Sequence, residues 1–392
     1  MKKLKIAIFT DTFIPIIDGV VTTTINLAKG LADRGHKIYI IAPRFRELAK
    51  EFAYKNVKVK RMPSIPAFFY KGYRFTSPLS IAVIKYLKKE KIDIIHFQTP
   101  IGLGVQALFA ARVLKKPVIG TFHTFFTDPG YIKHISTNHG FAQKLSWFYA
   151  RRYYNRCDLV TCPSESAKKE LLEHGFTSPI KVISNGIDMS VFDNSKWKKM
   201  KLKYNPNGKI LLFVGRIAFE KNLDYLLDCF KLVVKKQPKV KLVIVGDGPQ
   251  MDELKESIIQ KGLAKNVVLT GRIEYNKLVK SGIFKASDLF ITASTTETQG
   301  ISTLEAQANG LVCVGIESRG IKDLIKNNYN GYLVENGDKQ AFAGKVIKLL
   351  TDRKLHNRMK KNTLKEVKNH RIENVIKIWE KTYSNLVVKH ET

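Results

Sequence analysis

No apolar run in this chain is long enough to cross a bilayer. The longest uncharged stretch, Ile94 to Ala111, is broken by His96, Gln98, Pro100, Gly102 and Gly104, and it reads as strand, loop and helix start. A secretory leader is not expected, because Met1-Lys-Lys-Leu-Lys runs straight into a short β-branched segment. Cysteine is scarce. The four thiols (157, 162, 229, 313) lack zinc-ligand spacing, and a chain of 392 residues needs no disulfide staples, so reduced cysteines are the simplest expectation. Acidic residues are outnumbered, 34 against 67 Lys plus Arg, for a net charge of +33. That excess predicts attraction to polyanions such as nucleic acid or an anionic membrane face. It is spread over the chain, with +18 up to Asn185 and +15 beyond, so no single arm or tail carries it. A lysine-rich proteome would leave the same mark.

With 44% hydrophobic and 26% charged residues the chain is globular, and its length favours two domains. Short β-branched runs alternate with helical stretches almost throughout. The first series comprises Leu4–Phe9, Ile38–Ala42, Asp93–Phe97, Pro117–Phe122, Leu159–Cys162 and Ile180–Ser184, with helices over Val20–Arg34, Gly102–Leu114 and Phe141–Asn155. The pattern restarts at Ile210–Val214 and continues through Lys241–Val245, Asn266–Leu269, Asp288–Ala293 and Leu311–Gly315. Continuous apolar strands separated by helices predict parallel sheets covered on both faces. The expectation is an α/β protein of two doubly wound, Rossmann-like domains, residues 1–190 and 191–370, facing a cleft. Ligands would bind beyond the carboxyl ends of the strands. Residues 371–392 form a closing amphipathic helix that could cross back to the first domain. Asn185 to Gly208, polar and turn-rich, suits a linker.

The most informative segment is Thr296-Glu-Thr-Gln-Gly-Ile-Ser-Thr-Leu-Glu305, where the strand Asp288–Ser294 gives way to a helix beginning near Ser302. Gly300 lets the turn pass close to a ligand, and the free N–H groups of the new helix, from Ile301 onward, favour an anion, usually phosphate. Glu297 lies before the turn and Glu305 inside the helix, so the two carboxylates would face opposite ends of a phosphorylated ligand. A nucleotide sugar fits, one acid holding the sugar and the other the ribose hydroxyls. Acidic residues that merely suit the helix dipole are the alternative.

Other strand ends carry polar groups. His123 lies in Gly120-Thr-Phe-His-Thr124, on the side where a polar group can meet substrate, or where a histidine can make a structural hydrogen bond. His36, in Arg34-Gly-His-Lys37, is expected at a surface helix end. Gly19 opens a helix after the first strand and could admit a phosphate, although the three-glycine dinucleotide fingerprint is absent. Leu212-Phe-Val-Gly-Arg-Ile-Ala-Phe-Glu-Lys221 sets Arg216 and Lys221 at a strand–helix junction, able to neutralise a diphosphate. Pairs with Glu220 or Asp224 at the surface are the alternative. Gly246-Asp-Gly-Pro249 and Gly271-Arg-Ile273 end the next two strands in turns whose backbone groups, around Gly248 and Ile273, could meet a nucleobase edge.

Together, Gly19, His123, the Gly215-Arg216 to Lys221 segment, Gly246-Asp-Gly-Pro249 and the Glu297-x7-Glu305 pair resemble the retaining GT-B glycosyltransferases of the glycogen-synthase-like and sucrose-synthase-like group. The resemblance spans essentially the whole chain. Asp11-Thr-Phe-Ile-Pro-Ile-Ile-Asp-Gly-Val-Val-Thr22 and Thr296-Glu-Thr-Gln-Gly300 look most like bacterial diacylglycerol glucosyltransferases. The resemblance implies a hexosyltransferase that moves a hexose, glucose from UDP-glucose first among the options, to diacylglycerol. It assigns sugar hydroxyls to Glu297, the ribose to Glu305, the diphosphate charge to Arg216 and Lys221, and the sugar near its 6-hydroxyl to His123. Metal-dependent transfer usually places an Asp-x-Asp pair on a divalent cation; none occurs here, so no metal and no obligatory cofactor are expected.

A lipid acceptor needs a membrane-facing surface, which suggests a peripheral enzyme on the cytoplasmic face of the cell membrane. Lys144, Trp147, Arg151 and Tyr154 follow three- and four-residue steps and would share a basic and aromatic stripe. A second candidate is Phe68-Phe-Tyr-Lys-Gly-Tyr-Arg-Phe75 with the lysines at 85, 88, 89 and 91. Other acceptors (a polyisoprenoid-linked glycan, another glycolipid, phosphatidylinositol, a soluble sugar) and GDP-sugar donors stay open, as does oligomeric state. From another class, a polyanion-binding protein would use the charge directly, but no nucleic-acid motif is present and none is expected as a partner.

Overall fold

The computed structural model describes residues 2–391 except 17, 46–50, 67–73, 126–127 and 129–138. The chain divides into two compact units, Met1–Gly186 with Ile372–Thr392, and Ile187–Arg371. Each is built on a parallel sheet.

In the first unit the strands are β1 (Lys5–Phe9), β2 (Lys37–Pro43), β3 (Val57–Met62), β4 (Ser64–Pro66), β5 (Arg74–Thr76), β6 (Ile94–Phe97), β7 (Val118–Thr121), β8 (Leu159–Cys162) and β9 (Ile180–Val182). Seven form a parallel sheet in the order β3-β2-β1-β6-β7-β8-β9, and β4 with β5 makes a small antiparallel hairpin. Both faces of the sheet are dry, so successive side chains divide between two cores. Ala7, Phe9, Tyr39, Ile41, Ile95 and Phe97 pack beneath one set of helices. Ile6, Ile8, Ile38, Ile40 and Ile94 pack beneath the Gly19–Asp33 and Ile372–Glu391 helices.

The C-terminal helix therefore belongs to the first unit. Val375, Ile376, Trp379, Tyr383 and Val387, at three- and four-residue steps, enter that core. Gly30 permits the approach, since a Cβ there would lie 2.5 Å from the Ile376 side chain. His36 corrects the sequence expectation of a surface helix end: it is fully buried. Its Nδ1 accepts from the Leu4 N–H at 3.1 Å, so Nε2 carries the hydrogen and donates to Glu380 at 3.1 Å. Burial holds the imidazole pKa below its usual value despite Glu380, and the Arg34 guanidinium, 2.5 Å away, supplies the charge that Glu380 needs.

The second unit comprises β10 (Ile210–Val214), β11 (Lys241–Val245), β12 (Val267–Leu269), β13 (Leu289–Thr292), β14 (Val312–Ile316) and β15 (Gly331–Val334), in the order β12-β11-β10-β13-β14-β15. Leu211 and Phe213 point into one core and Ile210, Leu212 and Val214 into the other. Asn185 to Gly208 is not a loose linker. It holds a helix over Trp197–Tyr204, buries Tyr204 against the sheet, and uses the Asn205 amide to bridge the Lys209 and Lys239 carbonyls at 2.9 and 2.8 Å.

Trp379→Ala should remove about 3–5 kcal/mol from the first unit, because a buried indole is lost from a core closed by the C-terminal helix. Urea titration followed by circular dichroism reads this as a lowered midpoint. An unchanged midpoint would mean that the helix contributes nothing to that core.

Candidate functional site

In a doubly wound sheet the strand order reverses at one place, and the loops leaving the two strands there diverge and open a crevice. In the second unit this switch lies between β10 and β13, paired through Leu211 with Leu289 and Leu212 with Phe290. The loop after β10 carries Arg216 and Lys221; the loop and helix after β13 carry Glu297, Gly300, Ile301 and Glu305. Topology thus collects these residues at one sheet edge.

Lys221 and Glu297 meet directly, Nζ to Oε1 at 2.5 Å, with each side chain about one-fifth exposed (17% and 21%). The surface pair Lys221–Asp224 does not form; Lys261 takes Asp224 instead, at 3.2 Å. Burial opposes the charged Lys221, yet Glu297, assisted by Glu220, outweighs it and raises the pKa, while nearby Arg216 works the other way. Arg216 is exposed. Two cations and a carboxylate thus share one edge, an arrangement suited to a diphosphate next to hydroxyl groups. The Ser294 hydroxyl lies 3.3 Å from Glu297 Oε1 and 3.2 Å from the Glu220 carbonyl. The Glu297 carbonyl accepts from Gly320 N–H at 3.0 Å, which ties the loop to the far side of β14.

Gly300 adopts φ +89° as the cap of the Ile301–Ala308 helix, and no side chain caps that end. Glu305, inside the helix, is 5% exposed and has Tyr275 as a neighbour. Burial pushes its carboxyl up to about 7, against the lowering effect of Tyr275. Gly248 is fixed by packing: a Cβ there would stand 2.2 Å from the Ile217 carbonyl oxygen, so the β11 turn lies directly on the Arg216 loop. Ile273 is half-buried and packs on the second core.

In the first unit Gly19 opens its helix as expected, but Asp18 caps it, accepting from Val21 N–H at 2.8 Å. A phosphate at that end would meet a half-buried carboxyl. His123 follows β7, and its Nε2 lies 2.5 Å from Gln98 Oε1. An amide oxygen only accepts, so Nε2 carries the hydrogen. Behind it, the Gln98 amide nitrogen approaches His96, whose Nδ1 meets the Tyr383 hydroxyl at 2.7 Å and whose Nε2 meets Thr121 Oγ1 at 2.6 Å. Burial pushes His123 to about 4 and His96 to about 3, so both rings are neutral near pH 7. Gln98, His96, Ser294 and Tyr275 escaped the sequence reading. Gln98 and Ser294 stand at strand ends, the signal that singled out His123; Tyr275 carries no such signal.

The expected membrane stripe is not one surface. On the His139–Tyr154 helix, Trp147 and Tyr154 are buried, with Trp147 stacked on His174 at 3.6 Å, while Lys144 and Arg151 are exposed. The outward row is instead Phe141, Leu145, Phe148 and Tyr149, 67, 55, 49 and 43% exposed. Arg152 continues that row along the helix, Arg156 lies just past its end, and Lys144 and Arg151 flank it. Of the aromatic loop at Phe68, residues 68–73 lie outside the described residues. Among the described residues, no helix is long and apolar enough to cross a membrane.

The paired parallel sheets define the GT-B fold, and solved structures agree. The Anabaena protein HepE, in complex with UDP-glucose, superposes with a TM-score of 0.76 at 20% identity, covering 97% of this chain and 99% of that one. Sucrose-phosphate synthase from Thermosynechococcus elongatus gives 0.78 at 15% identity, covering 98% and 100%. Residues 17–191 match the family model described as Glycosyltransferase Family 4, and residues 194–366 the model described as Glycosyl transferases group 1. The chain is 32% identical over 354 residues to an alpha-monoglucosyldiacylglycerol synthase of Streptococcus pneumoniae, 88% of this chain and 78% of that one. It is 28% identical to a synthase of the same name from Acholeplasma laidlawii, covering 86% of each. A GDP-mannose-dependent alpha-mannosyltransferase of Corynebacterium glutamicum is also 28% identical, over 92% and 83%. The chain belongs to the group 1 glycosyltransferases of the GT-B fold, and it is a hexosyltransferase.

Glu305 makes the ligand-free protein sensitive to pH. Its carboxyl titrates near 7 when folded and near 4.5 when unfolded. The folded state therefore binds the proton more tightly, and stability falls as pH rises from about 4.5 to 7, by on the order of 3 kcal/mol. Glu305→Gln should be less pH-sensitive than the parent when urea midpoints are compared at pH 5 and pH 8. Equal slopes would show that Glu305 ionises freely.

Proposed function

We propose that the protein transfers glucose from UDP-glucose to 1,2-diacylglycerol with retention at the anomeric carbon and without a metal ion. The likeness to two alpha-monoglucosyldiacylglycerol synthases, one of them over 88% of the chain, carries this reading. Glu297 holds sugar hydroxyls and Glu305 the ribose. Lys221, which pairs with Glu297 at 2.5 Å in the free protein, turns with Arg216 to the diphosphate as the anomeric bond breaks. The acceptor oxygen attacks the anomeric carbon from the leaving-group face, its proton passes to the departing phosphate oxygen, and UDP leaves. No side chain acts as base. The protein's contribution is preorganised charge, where losing one such partner costs about 3–4 kcal/mol. Gly248, Gly300, Ile301 and Ile273 complete the donor contacts of the second unit.

The acceptor dissolves in a bilayer, so the enzyme works as a peripheral protein at the cytoplasmic membrane surface. The Phe141, Leu145, Phe148 and Tyr149 row supports this, with Arg152 and Arg156 beside it. Burying each large apolar side chain yields about 1.5–3 kcal/mol, and each arginine near an anionic headgroup layer adds about 1 kcal/mol. A GDP-sugar donor is the second reading, favoured by the likeness to the GDP-mannose-dependent enzyme.

Labelled UDP-glucose and diacylglycerol in mixed micelles containing anionic lipid should yield labelled glycolipid in EDTA. Glu297→Gln should lower kcat about 100- to 1,000-fold. Failure to form product while UDP-glucose still binds would discard the lipid acceptor; binding of GDP-mannose alone would move the donor to the second reading. Phe141→Ser combined with Leu145→Ser should weaken sedimentation with anionic vesicles yet leave UDP binding unchanged. Undiminished sedimentation would remove that row from the membrane contact.

A further inference from the structure

Ser294 follows β13 closely and is fully buried. Its hydroxyl lies between two acceptors, the Glu220 carbonyl at 3.2 Å and Glu297 Oε1 at 3.3 Å. A hydroxyl has one hydrogen, so it serves only one of them at a time. In the free protein Oε1 already receives Lys221 Nζ at 2.5 Å, which leaves the carbonyl as the acceptor in need of that hydrogen. The same carbonyl accepts from Thr295 N–H at 3.2 Å, so the loop carrying Lys221 is tied to the loop carrying Glu297. Both side-chain partners of Glu297 meet one oxygen. Among the described residues Oε2 has no hydrogen bond, so the carboxylate is held at one end and open to donors at the other. Once Lys221 turns to a diphosphate, Oε1 loses its cation, although only 21% of the Glu297 side chain meets water. A carboxylate so withdrawn is costly without a donor. Ser294 supplies one by rotation about a single torsion, because its oxygen is already within reach.

From this geometry we propose that Ser294 is a positioning residue: its hydrogen passes from the Glu220 carbonyl to Glu297 Oε1 as Lys221 leaves, and so keeps Oε2 turned toward the sugar hydroxyls. This rests on the reading that Glu297 holds the sugar and Lys221 the diphosphate. The effect falls on the step in which the anomeric bond breaks, since Lys221 leaves Glu297 there, and not on capture of the nucleotide.

Labelled UDP-glucose, with GDP-mannose in parallel, is followed to all sugar released from the nucleotide, free or joined to lipid, so that the rate does not depend on the acceptor. Calorimetric titration gives the Kd of the matching nucleoside diphosphate. Ser294→Ala should lower kcat about tenfold and leave that Kd within about twofold. Ser294→Thr, which still donates, should recover most of the loss. Ser294→Cys, close in size but a weak donor, should behave like Ser294→Ala. In a Glu297→Gln background Ser294→Ala should cost nothing further, because the two act as one unit. A packing role would instead leave Ser294→Cys with the parent kcat, or raise Kd in step with the loss of kcat, and either result overturns the proposal. So does a loss that Ser294→Thr does not recover at all. Glu297→Gln separates the two levels. If it is inactive while Ser294→Ala works at the parent rate, only the role of Ser294 falls. If it keeps the parent kcat, the sugar reading of Glu297 falls first and the proposal with it. A parent that releases sugar from neither nucleotide overturns both.

Discussion

A parallel sheet cannot be closed by hairpins; every strand must be followed by a crossover that returns the chain to the same edge. That constraint shapes both units. It demands helices on both faces, which is why Ile6 and Ile8 enter one core while Ala7 and Phe9 enter the other. It also gathers all the carboxyl ends at one edge, so residues far apart in sequence come together there. Lys221 and Glu297, 76 positions apart, form an ion pair because β10 and β13 are neighbours in the sheet.

The electrostatics of the second unit follow from what that edge lacks. Glu297 and Lys221 are mostly withdrawn from water and satisfy each other; Glu305 makes no ion pair among the described residues, and burial raises its proton affinity instead. These are two answers to one desolvation cost. The first keeps both charges and must exchange one partner when a ligand arrives. The second leaves a carboxyl group that holds its proton more tightly than usual. On the proposed function, a polyhydroxylated, phosphorylated ligand would provide what each lacks, donors for Glu305 and an anion for Lys221.

Strands β1, β6, β7, β10 and β11 were legible because a strand dry on both faces reads as a short unbroken apolar run. β3, Val-Lys-Val-Lys-Arg-Met, escaped because it is an edge strand whose alternate residues are basic. β15, Gly-Tyr-Leu-Val, is also an edge strand, and it is short. The residues expected at the donor edge stand at their strand ends, since a strand-end position follows from the local pattern. Their partners depended on strand order, which no local pattern contains. The helix face failed differently. Three- and four-residue steps select a stripe but not its direction, and His139–Tyr154 carries aromatics all round. Trp147 and Tyr154 point inward because His174 and Phe176, on a later segment, receive them.

The same helix shows why net charge alone is weak evidence. A charge of +33 spread over two units is screened beyond about 8–10 Å at physiological salt, so most lysines cannot act on a given surface. Placement decides. A basic group beside exposed apolar side chains shares their approach to a lipid headgroup layer, whereas one elsewhere only raises the general attraction to anions. Arg152 and Arg156 meet that condition; the lysines of the Trp197–Tyr204 helix, where the exposed apolar neighbour is Leu202 alone, meet it less well. Composition and site therefore answer different questions. The net charge gives how many basic residues the chain carries in excess, and the exposed row of one helix shows where a few of them lie beside apolar side chains.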